Sequence, residues 1–349
     1  MVPVEWPIAA PVADGGTEPA RAAGGGRLSV ARADFFLDPR ARLTEQERAL
    51  MTAMLADLVA IVADEFTALL ADAEPANDDG ERLVDRLWCA GLLDIPDLIR
   101  LLLRRAEEER ISAGIRSGRP AGRMRFLQSL VSDDDPQVSA AAMALILARG
   151  RRRDRFDGPR LIFDDLSAES AVALVGAVAA ALRTDLVKRM SAAECDERLS
   201  AAAQALLARH DEGNRLEAKL FAFVHALERA GRLDDALMRA TLAEADIALL
   251  VEALARRAGI GFDSAWEHFT GGRGALAILL RMAGLSRDLA GEIVAGAAEV
   301  VGTDPEREIQ TFDAMTDEDA ESSRKWLRLD PAYRNAIGAM GTGHGERAV

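Results

Sequence analysis

The sequence predicts an all-α protein in which an N-terminal helical region precedes an irregular, α-solenoid-like stack of helical hairpins. Ala, Leu and Arg dominate the 349 residues and aromatic residues make up 5%, a composition that favours helix over strand. Apolar residues recur with the period of a helix in most segments. A helix-corner pattern also repeats at intervals of 25 to 28 residues, as expected of stacked helical units.

The chain divides into four predicted parts. Residues 1–30 form a disordered N-terminal arm, because they are rich in Pro, Ala and Gly and lack the basic start and apolar run of a signal peptide. Residues 31–118 form an N-terminal helical region, residues 119–341 a helical-repeat region, and residues 342–349 a disordered tail. No stretch of 18 uncharged apolar residues occurs, so we expect no membrane span and a cytoplasmic location.

The first strong element of the N-terminal region is the long amphipathic segment LTEQERALMTAMLADLVAIVADEFTALLAD. Thr44 and Glu47 have the spacing of a capping box, and apolar residues at helical spacing continue for about seven turns. So long a helix needs a partner surface along its length. Two alternatives stay open: the helix packs on the next helices of the chain, or residues 44–72 form a symmetric homodimer interface.

The repeated helix corners follow the pattern Ala-Gly-x-x-x-Asp. A glycine just past a helix end supplies the positive φ that the turn requires. The aspartate is predicted to cap the next helix by accepting hydrogen bonds from backbone N–H groups. The pairs are Gly231 with Asp235, Gly259 with Asp263, and Gly284 with Asp288.

The second of these corners, RRAGIGFDSAWEHF, also resembles the small-residue spacing of a DNA-reading helix-turn-helix. Such a motif is expected once, with basic residues on its second helix, whereas this helix carries Asp263 and Glu267 and no Arg. The net charge of −14 also opposes binding to a phosphate backbone. The corner is therefore interpreted as a packing unit, and we do not expect a nucleic-acid partner.

Motifs for catalysis, cofactors or metals do not stand out in the chain. There is no phosphate-binding loop, no dinucleotide-binding glycine pattern after a strand and no nucleophile elbow. The four histidines lack convergent partners, so we expect no metal site and no cofactor. Cys89 and Cys195 are far apart and are predicted to be small buried hydrophobic residues in a reducing compartment.

The best candidate for ligand binding is the arginine-rich segment RGRRRDRFDGPR, which holds six Arg in twelve residues. Guanidinium groups bind phosphate or carboxylate bidentately, so the segment could grip an anionic ligand or a cyclic dinucleotide. The alternative is a solvated loop that pairs with the protein's own acidic surface. The candidate residues are Arg149, Arg151, Arg152, Arg153, Arg155 and Arg160.

Three segments carry a resemblance to a family of all-helical bacterial proteins of unknown function that is common in alphaproteobacteria. These are LTEQERALMTAMLADLV, DPQVSAAAMALILARGRRRDRF, and GRLDDALMRATLAEADIALLVEALARRAGI with LLRMAGL. The resemblance spans roughly residues 40–300 and implies a HEAT-like helical fold. It implies no activity, so no catalytic residue is carried over.

Taken together, these features predict a non-enzymatic cytoplasmic regulator or scaffold that binds another protein through a face of its helical stack. The alternative function is a sensor of an anionic ligand or nucleotide at the Arg149–Arg160 loop.

Overall fold

The computed structural model describes residues 42–70, 80–117, 125–272 and 274–341. The predicted arm over residues 1–30 and the predicted tail over residues 342–349 lie outside these ranges. The described ranges contain sixteen α-helices, and their β-pairing is limited to one isolated bridge between Arg153 and Pro159. The prediction of an all-α fold is confirmed.

The helices are numbered here in chain order. They are α1 (Glu45–Leu69), α2 (Gly80–Cys89), α3 (Pro96–Ser117), α4 (Arg125–Ser129), α5 (Pro136–Gly150), α6 (Ala168–Leu186), α7 (Ala192–Leu207), α8 (Leu216–Arg229), α9 (Asp235–Ala243), α10 (Ile247–Ala258), α11 (Phe262–Thr270), α12 (Ala275–Met282), α13 (Arg287–Val301), α14 (Pro305–Ala314), α15 (Asp317–Leu327) and α16 (Pro331–Gly341). All sixteen belong to one compact unit that begins at Glu45.

Two hydrophobic cores hold these helices together. One core is built from α1, α2, the first half of α3, α6 and α7. The other is built from the end of α3, from α4 and α5, and from helices α8 to α15. Helix α3 contributes Leu98 and Leu102 to the first core and Ile111 and Ile115 to the second, so it joins them just before the boundary predicted at residue 118. The HEAT-like stacking of the hairpins stays a prediction.

The apolar stripe of α1 packs within the chain. Helix α1 contacts α2, α3, α6 and α7, which cover the stripe. Its buried apolar residues are Met54, Leu55, Leu58, Val59, Val62 and Phe66. Packing on other helices of the same chain therefore accounts for the periodicity of this segment, and a homodimer would need the exposed side of the helix.

Glycines end the helices at the repeated corners. Gly231, Gly259 and Gly284 have φ angles of +70°, +68° and +66°, in the left-handed region that a glycine enters without strain. Each follows within two residues of the last residue of α8, α10 or α12. A chain reversal of this kind satisfies carbonyl groups at the helix end and lets the next helix begin at once.

The aspartate of the corner pattern does not have the capping role that the sequence predicts. Asp234 caps α9 and Ser286 caps α13, whereas α11 begins without a side-chain cap. Asp235, Asp263 and Asp288 lie in the first turns of these helices. Each turn is one or two residues shorter than predicted, so the acidic group interacts favourably with the helix dipole instead of capping.

The two cysteines have different environments, so the prediction that both are buried is wrong for one of them. Cys195 is buried, and burial raises the pKa of its thiol. Cys89 is exposed. Leu83 and Leu87 mark the buried face of α2, and Cys89 lies about 200° around the helix from Leu87. The helical rotation therefore directs Cys89 away from the core.

A search of the described residues finds no helix that is long and apolar enough to span a bilayer.

Candidate functional site

The arginine-rich segment begins in the last turn of α5 and continues as a loop. Arg149 lies on α5, and the bridge between Arg153 and Pro159 closes the loop into a short hairpin. The loop is followed by a single turn of 3-10 helix over Phe163–Asp165. This arrangement places the six candidate arginines in three different environments.

Arg149 and Asp246 form a bidentate ion pair. The two guanidinium nitrogens of Arg149 donate to the carboxylate of Asp246 at 2.6 and 2.7 Å. Burial alone lowers the pKa of Arg149, but the carboxylate of Asp246 outweighs it and the pKa is raised. Asp246 also caps α10 by accepting from the N–H of Leu249. The pair therefore ties the end of α5 to the start of α10.

Arg152 is the most enclosed of the candidates. Its Nε and Nη2 atoms donate to the carboxylate of Asp165, and both side chains are buried. Nη1 donates to the carbonyl oxygen of Ala148 and Nη2 to that of Asn214, at 2.8 and 2.7 Å. All three guanidinium nitrogens therefore already donate to the protein, and Arg152 presents only 5% of its surface.

Arg153 and Arg160 also pair with the protein's own carboxylates. Arg153 lies 2.8 Å from the carboxylate of Glu109 on α3, and Arg160 donates to Asp57 on α1 at 2.8 Å. The loop is thus fastened to α1 and α3. Four of the six candidate arginines are held by internal carboxylates, as expected for a loop that pairs with the protein's own acidic surface.

Arg151 and Arg155 remain available on the surface of the loop. Both are exposed, and neither makes an ion pair with any residue that the structure describes. The guanidinium of Arg155 stacks over the ring of Phe156, 4.7 Å from its centroid. Phe156 is 77% exposed, so this stack faces solvent.

A cavity of about 550 Å³ lies beneath the arginine loop. Arg105 and Arg116 of α3, which the sequence does not single out, line it together with Arg149, Arg152 and Arg160. Burial alone lowers the pKa of Arg105. The neighbouring carboxylates of Glu217 and Glu108, with Glu217 having the larger effect, outweigh burial and raise this pKa. Arg116 donates to Glu109 at 3.1 Å. The cavity wall is therefore a network of neutralised ion pairs.

The last two helices and the turn between them expose a set of large apolar side chains. We call it the docking face. It consists of Trp326, Leu329, Tyr333, Ile337 and Met340. Tyr333, Ile337 and Met340 follow one another at four and three residues, which places them on one stripe of α16. Tyr333 is 58% exposed and Met340 is 80% exposed, so this stripe does not pack on the described chain.

Helix α16 makes few packing contacts elsewhere in the described chain. Of its side chains that the structure describes, Arg334 is partly shielded and the others are exposed. The helix begins where Asp330 accepts hydrogen bonds from the N–H groups of Ala332 and Tyr333, next to Pro331 at the first position. The start of this helix is therefore set by local signals, an N-cap and a proline at the first position, because its described side chains are mostly exposed.

The docking face carries local positive charge in a strongly acidic protein. Residues 322–341 contain four basic residues and one acidic residue, whereas the preceding residues 317–321 of α15 contain four acidic residues. The basic residues are Arg324, Lys325, Arg328 and Arg334. Arg324 pairs with Glu321, so part of this charge is already neutralised. The remaining positive charge favours an acidic surface over a basic one.

Two carboxyl groups, one buried and one half-buried, have strongly shifted pKa values. Burial raises the pKa of Glu252 to about 7, with Arg256 opposing the rise and Glu217 adding to it. Burial also disfavours the charge of Glu217, but Arg105 and Arg104 outweigh it and lower its pKa to about 2. Both groups line a cavity of about 490 Å³ beside Phe221 and Arg256. No cluster of three or more His, Cys, Asp or Glu among the described residues is arranged to hold a metal ion.

Comparison with known proteins assigns the chain to a family. Residues 121–326, more than half of the chain, match a family model described as an uncharacterised protein conserved in bacteria (DUF2336). The matched segment contains the arginine loop and ends at Trp326, so α16 lies beyond it. No curated protein and no solved structure matches the chain. The predicted membership of a bacterial family of unknown function is confirmed, and the chain belongs to this family of uncharacterised bacterial proteins.

Proposed function

We propose that the protein is a non-enzymatic regulator or scaffold of the cytoplasm that binds another protein through the docking face. The observation that carries the proposal is the exposed apolar stripe of α16. Helix α16 has 11 residues, and isolated helices of this length are marginal in water. A partner that covers the stripe would remove apolar surface from water and stabilise the helix.

The charge of the docking face indicates the chemistry of the partner. Arg334 lies about a quarter of a turn from the apolar stripe, and Lys325 is the neighbour of Trp326 on α15. An amphipathic helix with acidic residues beside its apolar stripe matches both features. We therefore propose that the partner presents an acidic amphipathic helix.

Two other occupants fit the charge pattern less well. A second copy of the same face would bring basic residues against basic residues across a symmetric interface. An anionic membrane would present an extended negative plane to a protein of net charge −14, whereas a single helix contacts the basic face alone. A homodimer through the predicted 44–72 helix is a separate proposal, which light scattering of the full chain would test.

A designed peptide tests the proposal directly. The probe is a synthetic amphipathic helix with a leucine stripe flanked by Glu, and its control has Lys at the flanking positions. Binding to the full chain is measured by fluorescence anisotropy at two salt concentrations, because a charge-steered contact weakens as salt screens it. The variant Tyr333→Ser with Ile337→Ser removes the apolar stripe. Met143→Ser with Leu147→Ser is the matched control, since these exposed apolar residues have the same spacing on α5.

We expect the Glu-flanked peptide to bind at least tenfold more tightly than the Lys-flanked one. Binding should be lost in the α16 variant and kept in the α5 variant. Equal binding of both peptides, or loss in the α5 variant alone, would contradict the proposal. Association of the chain with phosphatidylserine vesicles or with itself, without peptide binding, would also contradict it.

The second candidate function is recognition of an anionic ligand or cyclic dinucleotide at the arginine loop. What favours it is the pair Arg151 and Arg155, which are exposed and form no ion pair among the described residues, with the exposed ring of Phe156 next to Arg155. An aromatic ring with a neighbouring guanidinium is a surface on which a base can stack. A nucleotide that raises the melting temperature of the native chain, but not of Arg151→Ala with Arg155→Ala, would support this function. Arg152 is left unchanged because it is buried.

A further inference from the structure

A second cleft, of about 890 Å³, separates the turn between α15 and α16 from the rest of the fold. Its inner wall comes from α3, from the start of α8 and from the corner between α10 and α11. Its outer wall is the segment from Leu327 to Pro331 together with Arg334. The arginine loop does not contribute to it. The cleft also lies outside the exposed stripe of the docking face.

The inner wall is organised around Arg104. The side chain of Arg104 is 9% exposed, and it forms ion pairs with Glu217 at 2.8 Å and with Asp263. Arg215 lies 3.6 Å from Glu212 at the start of α8. These ion pairs fix the position of the inner arginines and neutralise much of their charge.

Two arginines of the outer wall lack such a carboxylate. The Nε of Arg328 donates to the carbonyl oxygen of Gly259 at 2.8 Å, and Nη2 of Arg334 donates to the hydroxyl of Ser264 at 3.1 Å. Both partners are uncharged, and neither arginine forms an ion pair with a residue of the described ranges. Asp330, which also lines the cleft, accepts hydrogen bonds from backbone N–H groups of α16. The outer wall therefore holds two guanidinium groups without a matching anion.

Four buried polar atoms at this cleft make no hydrogen bond within the described chain. They are the Nε atoms of Arg104, Arg215 and Arg334 and the Oε2 atom of Glu217. Buried polar atoms are nearly always bonded to protein, water or ligand. Three of these four atoms are donors and one is an acceptor. A ligand that satisfied them would supply acceptor oxygens and at least one hydrogen-bond donor, and the surrounding side chains would have to move to admit it, since these atoms have almost no accessible surface.

We propose that this cleft binds an anionic small molecule that carries phosphate or carboxylate oxygens together with a hydroxyl or amino group. Arg328 and Arg334 hold the anionic oxygens, since a guanidinium binds either oxyanion bidentately. The Oε2 atom of Glu217 accepts from the hydroxyl or amino group. The cleft includes Leu329 of the docking face and the neighbouring Arg328 and Arg334, but the inference does not depend on protein binding at the stripe of α16.

Occupancy of the cleft has a consequence for the last helix. Arg328 and Arg334 belong to the turn before α16 and to its first turn, and α16 has few other packing contacts. A ligand between these arginines and the inner wall would hold the start of α16 against the fold. The cleft thereby couples a small anion to the order of the helix that carries the docking face.

Thermal melting of the full chain tests the cleft, with pyrophosphate and citrate as the two probes. Each is added at 10 mM, with sodium chloride at matched ionic strength as the reference. Pyrophosphate represents phosphate oxygens, and citrate represents carboxylates with a hydroxyl group. The cleft variant is Arg328→Gln with Arg334→Gln. The matched control is Arg189→Gln with Arg229→Gln, which removes the same charge from two exposed residues outside both the cleft and the arginine loop.

We expect at least one probe to raise the melting temperature by about 2 °C or more above the salt reference. The shift should vanish in the cleft variant and persist in the control variant. The probe that produces it tells phosphate from carboxylate recognition. Circular dichroism shows whether the cleft variant is folded, and the single variant Arg334→Gln serves if the double variant is not. A folded cleft variant that keeps the full shift would overturn the proposal. The absence of a shift with both probes, or its loss in the control variant alone, would also overturn it.

Discussion

Arg152 and Asp165 form a bidentate ion pair that is closed to solvent. Three hydrogen bonds of 2.7 to 2.9 Å join the guanidinium to the carboxylate, and Asp165 has no exposed surface. Asp165 also accepts from the backbone N–H groups of Ile162 and Leu216, so it fastens the arginine loop to the start of α8. The pair makes the loop part of the folded core instead of a free surface segment.

The first prediction follows from this pair. Arg152→Ala leaves a buried carboxylate without its cation, and we expect it to lower the free energy of unfolding by about 3–5 kcal/mol. Arg151→Ala, one residue earlier and exposed, should change it by less than about 0.5 kcal/mol. Urea unfolding measures both values. Similar stabilities for the two variants would contradict a structural role for Arg152.

The second prediction concerns Glu252, whose pKa is raised from 4.5 to about 7 by burial. The folded state holds its proton more tightly than the unfolded state, so its contribution to stability is present below pH 4.5 and is lost as pH rises through 7. The free energy of unfolding of Glu252→Gln, measured relative to that of the native chain, should therefore rise by up to about 3 kcal/mol between pH 5 and pH 8. Unfolding at both pH values checks this, with the exposed Glu267→Gln as control. A pH-independent difference would show that Glu252 does not titrate in this range.

The third prediction concerns Glu217, whose pKa is lowered from 4.5 to about 2 by Arg105 and Arg104 against the effect of burial. Its contribution to stability is present above pH 4.5 and is lost as pH falls through about 2. We expect Glu217→Gln to be less stable than the native chain by up to about 3 kcal/mol at pH 7. The difference should shrink steadily towards pH 2 in an unfolding series. A constant difference across that series would argue for lost packing instead of lost charge.

The fourth prediction compares two corner glycines. Gly259 and Gly284 both have positive φ, so an alanine at either position should cost about 1–2 kcal/mol in unfolding free energy. A Cβ atom at Gly259 would also meet the guanidinium of Arg328, whereas a Cβ atom at Gly284 would meet nothing. Gly259→Ala should therefore also weaken the anion-induced melting shift, and Gly284→Ala should leave it intact. Equal anion-induced melting shifts in both variants would show that Arg328 does not contribute to anion binding in the cleft.

The sequence predicts the parts of this fold that depend on local physics. Glycines after helix ends are recognised from single turns of chain. The capping prediction at Asp235 and Asp263 fails because a cap can be assigned only when the first residue of the helix is known to within one position. Composition cannot resolve that difference, since neighbouring residues such as Asp234 can cap equally well.

The sites depend on long-range contacts and are harder to predict. The sequence identifies Arg149 and Arg152 as anion-binding candidates, but it cannot show that Asp246 and Asp165 neutralise them. The cleft joins Arg104 to Arg334, residues far apart in sequence, and no local pattern connects them. The docking face did have a signal, because Tyr333, Ile337 and Met340 follow a capped start at helical spacing.

Hydrogen exchange of the amides in residues 331–341 tests the docking face most directly. The exchange rate is measured on the full chain, alone and with the Glu-flanked amphipathic peptide. We expect slower exchange over these residues when the peptide is present and no change on α5, because the partner covers the stripe of α16. Unchanged exchange over residues 331–341 at saturating peptide would contradict the claim that this helix is a binding surface for an acidic partner.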